Sequence, residues 1–370
     1  MSKIPRLQPG GTAAQRRERQ ATTGATSSAE AAPTPTGPDA SARVGAMRAF
    51  VDRYFERYNA GTTKRAALAY VDHLENGGAV WLSMAGAMST AAIGRSVAEL
   101  IRQDKVHAIV CTGANLEEDL FLLCGAKRYV DLSDYRDMTP ADDEKLREEG
   151  INRVTDTGFP DTEVIEPVVD AIEALWKAAD RAGEAKFPHE YLYEVLKSGA
   201  LKARYEAPSE DSWLLAAAEK SLPMFVPGWE DSTLGNAFVA ATMRGDIDDV
   251  SIVRSGLEGF RFFAEWYATT STEGGKERPM GMVQIGGGIA GDAPICAVPM
   301  LRLELKRDDV PLLAFFCQIT DATESYGGYS GAPPTEKISW GKLDTDTKYF
   351  DIHSDATIVF PLMAAIVLGL

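Results

Sequence analysis

From residue 42 onward, apolar positions recur at helical spacing. RVGAMRAFVDRYFERY and KRAALAYVDHLEN each place an apolar stripe along one face. The pattern then changes: AVWLSMAG (79–86) is a continuous apolar run ending in small residues, which predicts a strand buried on both faces. TAAIGRSVAELIRQD returns to the helical period, HAIVCTGA (107–114) predicts a second buried strand, and LEEDLFLLCG a short helix. Strand, small-residue turn, helix, strand is a βαβ unit, which builds a parallel sheet. The stretch 160–220 reads mostly as amphipathic helix, TEVIEPVVDAIEALWKAAD being one example. Further apolar runs at LPMFVP (222–227), VSIV (250–253), GMVQIGGG (281–288) and PLLAFFCQI (311–319) raise the expected strand count to six or more. The expected fold class is α/β: a doubly wound, mostly parallel, Rossmann-like sheet in a single domain over residues 41–370. IVFPLMAAIVLGL at the end predicts a buried helix.

Residues 1–40 are rich in Ala, Thr, Ser, Pro, Gly and Arg and poor in large apolar side chains. They bury too little surface to offset the entropy of ordering, so a flexible low-complexity arm is expected. The remaining composition is that of a chain able to bury a core, 45% hydrophobic and 25% charged. The formal charge of −16 argues against nucleic-acid binding, which needs a basic surface, and is compatible with a cationic substrate. Four cysteines without a CxxC pair and four histidines without an HxxxH spacing leave no metal signature, so no metal is expected. MSKIPRLQPGG lacks an apolar signal core, and no run reaches the roughly 18–20 apolar residues of a membrane span; a cytoplasmic protein without a membrane partner is expected.

Candidate chemistry gathers at the predicted strand ends. QIGGGIAG contains GxGxxG at Gly286, Gly288 and Gly291, after a strand and before a helix. Such glycines let a backbone approach a pyrophosphate at a helix N-terminus, although three consecutive glycines also make a plain tight turn. AGAMST (85–90) and TGAN (112–115) are small-residue turns after the first two strands, and ligands of open α/β sheets lie at the carboxyl ends of strands. Glu117 and Glu118 follow directly, either as first-turn acids favoured by the helix dipole or as site carboxylates. Asp231 in GWEDSTLGN and Asp355 in HSDATIVF are each an N-cap or a ligand contact. In KISWGKL, Lys342 is either a solvated charge or an amine desolvated against Trp340; desolvation favours the neutral form that attacks carbon.

The string GGYSGAPPTEKISWGKL resembles the active-site segment of the deoxyhypusine synthase family, whose lysine takes the last-but-one position. TGANLEED is similar to the family's Thr-Ala-Gly-Gly-Val-Glu-Glu-Asp, and LPMFVPGWEDSTLGN to its Pro-Val-Phe-x-Pro segment with Asp-Gly-Ser-Leu-Gly-Asp. IGGGI, EGINRV and SDATIVFPLMAA also correspond, so the likeness runs from about residue 45 to the end. It implies NAD-dependent transfer of an aminobutyl group from a polyamine such as spermidine to an acceptor amine, with Lys342 as the covalent imine carrier. Gly86, Ala87, Met88, Ser89, Thr90, Thr112, Gly113, Ala114, Glu118, Asp231, Asp355 and Ala356 would contact NAD, with Gly287 and Gly288 lining the same cleft. Glu117, Glu118, Glu336 and Trp340 would border the polyamine. A homotetramer with active sites at subunit interfaces is implied as well.

Three departures fall in the same region. Asn236 stands for an aspartate that grips an amine, Asp292 and Ala293 for a histidine pair, and Gly327, Gly328 and Tyr329 for Gly-Ser-Asp. Asn236, Asp292 and Tyr329 are therefore expected at the substrate. These exchanges leave open whether the acceptor is a protein lysine or a small diamine such as putrescine, as in homospermidine synthases; Asp292 would hold that second cation. They also leave open an NAD-binding homologue without transfer. Lys337 gains nothing from the resemblance and is expected to be an ordinary surface lysine.

Overall fold

The computed structural model describes residues 45–324 and 327–370. The arm expected at 1–40 lies outside them. Among the described residues, the α-helices of four residues or more are α1 (Ala46–Tyr54), α2 (Tyr58–Glu75), α3 (Gly94–Arg102), α4 (Gly113–Gly125), α5 (Pro140–Glu148), α6 (Glu166–Ala182), α7 (Pro188–Ser198), α8 (Trp213–Lys220), α9 (Thr233–Arg244), α10 (Gly256–Ser271), α11 (Gly288–Ile295), α12 (Glu336–Ser339) and α13 (Ala356–Val367). The strands are β1 (Ala79–Met84), β2 (Ala108–Cys111), β3 (Val130–Asp131), β4 (Ile151–Val154), β5 (Thr157–Pro160), β6 (Met224–Phe225), β7 (Met280–Ile285), β8 (Leu313–Thr320) and β9 (Leu343–His353).

Six strands form a parallel sheet in the order β6-β2-β1-β7-β8-β9. From β1 the chain moves outward through β2 to β6, then crosses back to add β7, β8 and β9 on the other side. The order therefore reverses between β1 and β7, and that is where an open α/β sheet leaves a crevice at its carboxyl end. The doubly wound fold expected from the apolar runs is the one observed.

The central strands are apolar on both faces because both are covered. Val80, Leu82 and Met84 point into a core shared with α2, α3, α4, α8 and α13. Trp81 lies on the opposite face with Phe263, Ala264 and Tyr267 of α10. One in-register row on this second face is polar: Ser83, Gln284, Gln318 and Asp351 lie side by side across β1, β7, β8 and β9.

Three elements differ from those expected. VSIV, expected as a strand, forms a 3-10 turn at Val250–Ile252, and only Val253 bridges to Lys186. LDTDTKYFDIH has no apolar run, yet it is β9, an edge strand, and an edge strand tolerates alternating polar residues. A separate antiparallel sheet in the order β3-β5-β4 was not expected, since its strands are two to four residues long.

Candidate active site

The turns after β1 and β2 are stitched together by Asn115. Its Nδ2 donates to the Gly86 carbonyl at 2.8 Å and to Thr112 Oγ1 at 2.9 Å, while its Oδ1 accepts from the Ser89 N–H at 3.0 Å. Thr112 caps α4 by accepting from the Asn115 N–H and donates its own hydroxyl hydrogen to the Gly86 carbonyl at 2.8 Å. Ser89 Oγ accepts from the indole N–H of buried Trp213 at 3.0 Å. Thr90 Oγ1 donates to Glu118 Oε2 at 2.8 Å. The structure thus brings together Gly86 to Thr90, Thr112 to Ala114 and Glu118. Burial pushes the Glu118 carboxyl up to about 7; the Thr90 bond opposes this and the neighbouring Glu117 charge adds to it.

Across the crevice, the turn after β7 opens α11. Gly286 and Gly288 have φ of +71° and +52°, the left-handed region that glycine enters without strain. Gly287 has no room for a side chain, because an added Cβ would fall 2.5 Å from Ser330 Oγ and Cα. The Gly288 N–H donates to Ser330 Oγ at 3.1 Å. At Gly291 the same Cβ would meet Gln284 Oε1 and Tyr329 Cε1, both at 2.8 Å. The glycines thus do two things: they shape the turn, and they let the Tyr329–Ser330 segment close over it.

Lys342 immediately precedes β9 and is only 6% exposed. Its Nζ donates to Asp292 Oδ1 at 2.9 Å and lies 5.6 Å from the Tyr329 ring centre and 5.8 Å from that of Trp340. Trp340 itself is 63% exposed, so the amine has an aromatic wall on its solvent side. Cys296, four residues after Asp292 and just past the end of α11, directs its thiol to the same oxygen at 3.6 Å. The Tyr329 hydroxyl donates to Gln284 Oε1 at 3.0 Å. A buried primary amine, an ion-paired carboxylate and two aromatic rings lie in one sequence of contacts beside the glycine turn. This arrangement suits amine chemistry on a cationic substrate.

The sequence pattern describing deoxyhypusine synthase matches residues 53–367. This chain belongs to the deoxyhypusine synthase family, a family of transferases. A deoxyhypusine synthase-like protein from a Nostoc species is 32% identical over 336 residues, covering 86% of this chain and 80% of its own. One from Elusimicrobium minutum is 29% identical over 311 residues, covering 83% and 76%. The fold is shared with a candidate deoxyhypusine synthase of Entamoeba histolytica at a TM-score of 0.53 and 14% identity, covering 86% and 91%. Among the described residues no helix is long and apolar enough to cross a membrane.

In this member of the deoxyhypusine synthase family, two of the three departures meet at Lys342. Asp292, the residue that would hold a second small cation on the diamine reading, is paired with Lys342, and Tyr329 lies against the same amine. Asn236 is exposed in the first turn of α9, and Glu336 is exposed at the start of α12. Glu117, expected to border the polyamine, is buried and faces the start of α9. Its two oxygens accept from the Thr233 and Leu234 N–H groups at 2.8 and 2.7 Å, so it serves the N-terminus of α9. Nor do the two glutamates lie in a helix's first turn, because α4 already begins at Gly113. Asp231 is exposed and does not cap α9; Ser232 does, accepting from the Gly235 N–H. Asp355 does cap α13 through the Thr357 N–H at 2.8 Å, with Ala356 opening that helix.

The largest correction concerns Lys337. It is 2% exposed, not a surface residue. Its Nζ donates to Gln318 Oε1 at 3.4 Å and to the Ala332 carbonyl at 3.3 Å, and it lies 4.7 Å from the Tyr329 ring centre and 5.1 Å from that of Phe316. Burial pushes its amine down to about 8, and the Lys342 charge adds to that effect. No pattern in KISWGKL marks it, since a buried lysine and a solvated one read alike. Asn115, Gln284 and Gln318 were missed as well. A polar residue inside an otherwise apolar run, as in GMVQIGGG and FFCQI, is the one signal that pointed to the last two.

Proposed function

We propose that this protein transfers an aminoalkyl group from a polyamine such as spermidine to an acceptor amine, with Lys342 as the covalent carrier. The observation that carries the proposal is the Lys342 amine itself, buried, ion-paired to Asp292 and walled by Tyr329 and Trp340 beside the glycine turn. The turns at the β1/β7 crevice fit NAD: backbone with positive φ opens α11, and side-chain bulk is excluded at Gly287. Gly86 to Thr90, Thr112 to Ala114, Gly287 and Gly288 would hold it, with Asp231, Asp355 and Ala356 as the outer expected contacts. When bound, NAD would accept a hydride from the carbon beside the donor's secondary nitrogen and later return it.

Lys342 then attacks the oxidised carbon. A bond forms between that carbon and Nζ, the bond to the departing diamine breaks, and the diamine leaves with a proton. Before attack, Nζ must lose a proton, and Asp292 Oδ1 is in place to receive it. The acceptor amine next displaces Lys342 as a free amine. Trp340, Tyr329 and Glu336 border the polyamine, and Glu118 supplies a carboxyl beside the cofactor turns. The acceptor is a protein lysine on this reading. The protein acts as a homotetramer in which a neighbouring copy completes the site, and it works in the cytoplasm.

Borohydride trapping tests the covalent step. Incubation with NAD and spermidine followed by reduction is expected to leave a mass adduct on the peptide containing Lys342. Absence of any adduct with NAD and a series of polyamines would exclude the carrier role. Free homospermidine formed from spermidine and putrescine would identify a small diamine as the acceptor.

A further inference from the structure

A second buried amine sits under the first, and the mechanism above gives it no task. The Lys342 N–H donates to the Lys337 carbonyl at 3.1 Å, which closes the turn after α12. Trp340, between the two lysines, points outward. Both ammonium groups lie against one ring, Lys337 at 4.7 Å and Lys342 at 5.6 Å from the centre of Tyr329. They are therefore no more than about 10 Å apart, with protein rather than bulk water around them.

We propose that Lys337 is a positioning residue whose buried positive charge favours the neutral, nucleophilic form of Lys342 and fixes Tyr329 against it. This rests on Lys342 being the carrier. Two cations sharing a poorly solvated space disfavour each other's charge, and this is one of the established ways to activate a lysine nucleophile.

The surrounding groups decide which amine gives way. Lys342 faces Asp292 from α11, Cys296 just past its end, Tyr329 from the turn before α12, and Lys337 from α12. The Asp292 carboxylate pulls toward the ammonium, and Lys337 is the one cation among these groups that opposes it. Lys337 faces Lys342, Asp351 from β9, Glu336 from its own helix and, farther off, Asp292. Asp351 is itself shared with His353 at 3.3 Å and with Gln318 Nε2 at 3.4 Å. Gln318 is shared in turn, because its Oε1 also accepts from Gln284 Nε2 at 3.0 Å. The row of polar side chains on β7, β8 and β9 thus seats the second amine without neutralising it by a direct ion pair.

The test reads Lys342 directly and needs neither NAD nor polyamine. Trace acetylation with acetic anhydride, followed peptide by peptide between pH 6 and 10, gives the reactivity of each lysine. At pH 7, Lys337→Met is expected to lower Lys342 labelling about threefold to tenfold, by moving its curve to higher pH, whereas Lys337→Arg restores it. In the unmodified protein the Lys342 curve should rise over a wider pH range than a single titration, because Lys337 discharges in the same interval. A Lys342 curve unchanged in Lys337→Met overturns the proposal. So does a single-step curve in the unmodified protein, a measurement that stands even if the variant does not fold. Failure of borohydride trapping would remove the carrier role but would leave this coupling intact, so the two outcomes are distinguishable.

Discussion

Gly287 packs against Ser330 with no room for a methyl group: a Cβ on the glycine would sit 2.5 Å from both the Cα and the Oγ of Ser330. Ser330 follows Tyr329, so this contact sets how far the aromatic wall descends over Lys342. Gly287→Ala is expected to cost about 1–3 kcal/mol of stability through overpacking and to abolish trapping at Lys342. Thermal unfolding and borohydride trapping on the same sample check both effects. A variant that unfolds like the parent and traps normally would show that the turn has slack.

Replacing Lys342 with arginine keeps a cation within reach of Asp292 but removes the amine that forms an imine. Lys342→Arg should retain the unfolding midpoint within a few degrees, bind NAD with affinity close to the parent's, and show transfer below about one-thousandth of the parent's. Isotope-labelled spermidine followed into product measures it. Turnover near the parent's would end the carrier role.

The carboxyl of Glu118 sits at about 7 in the fold against an ordinary value of 4.5. Between those values the folded chain keeps a proton that the unfolded chain has released. Its contribution to stability is therefore full below about pH 4.5 and is lost as pH rises through 7. Glu118→Gln should flatten that decline by up to roughly 3 kcal/mol. Asp119, pushed up to about 6 by burial, contributes in the same direction and remains in the variant. Urea unfolding at pH 5, 6, 7 and 8 compares the two slopes, and parallel curves would contradict the assignment.

Asn115 joins the β1 turn to the β2 turn through both ends of its amide, reaching the Gly86 carbonyl, the Ser89 N–H and Thr112 Oγ1. Asn115→Ala leaves the buried Ser89 N–H without the Asn115 oxygen, while the exposed Gly86 carbonyl keeps the Thr112 hydroxyl. A loss of about 1–3 kcal/mol is expected, the cost of one unsatisfied buried group. Hydrogen exchange should rise at Ser89 first; unchanged protection there would place the stitching elsewhere.

The sheet could be read from the chain where strands are buried on both faces, because β1, β2, β7 and β8 must then be continuous apolar runs. β9 was not legible for the opposite reason: an edge strand has one neighbour and keeps polar side chains toward water. Lys342 was identified through the segment it lies in rather than through any local pattern. Lys337, five residues before it, could not be identified at all. Whether a lysine is buried depends on what folds over it, and here that is Tyr329, brought in by a turn packed on Gly287 and Gly291. Asp292 was expected near the substrate, but its pairing with Lys342 was not foreseen, since the ion pair joins residues fifty positions apart.

The polar row from Ser83 through Gln284 and Gln318 to Asp351 bears on folding as well as on chemistry. Parallel strands buried on both faces are nearly uniform greasy rods, which could slide past one another with little penalty. Slipping any one of these strands by a single residue would drive a hydroxyl, an amide or a carboxylate into the opposite, mostly apolar layer. The groups that seat the two amines therefore also act as an alignment key, so that a chain closed in the wrong register loses its fold and its site together.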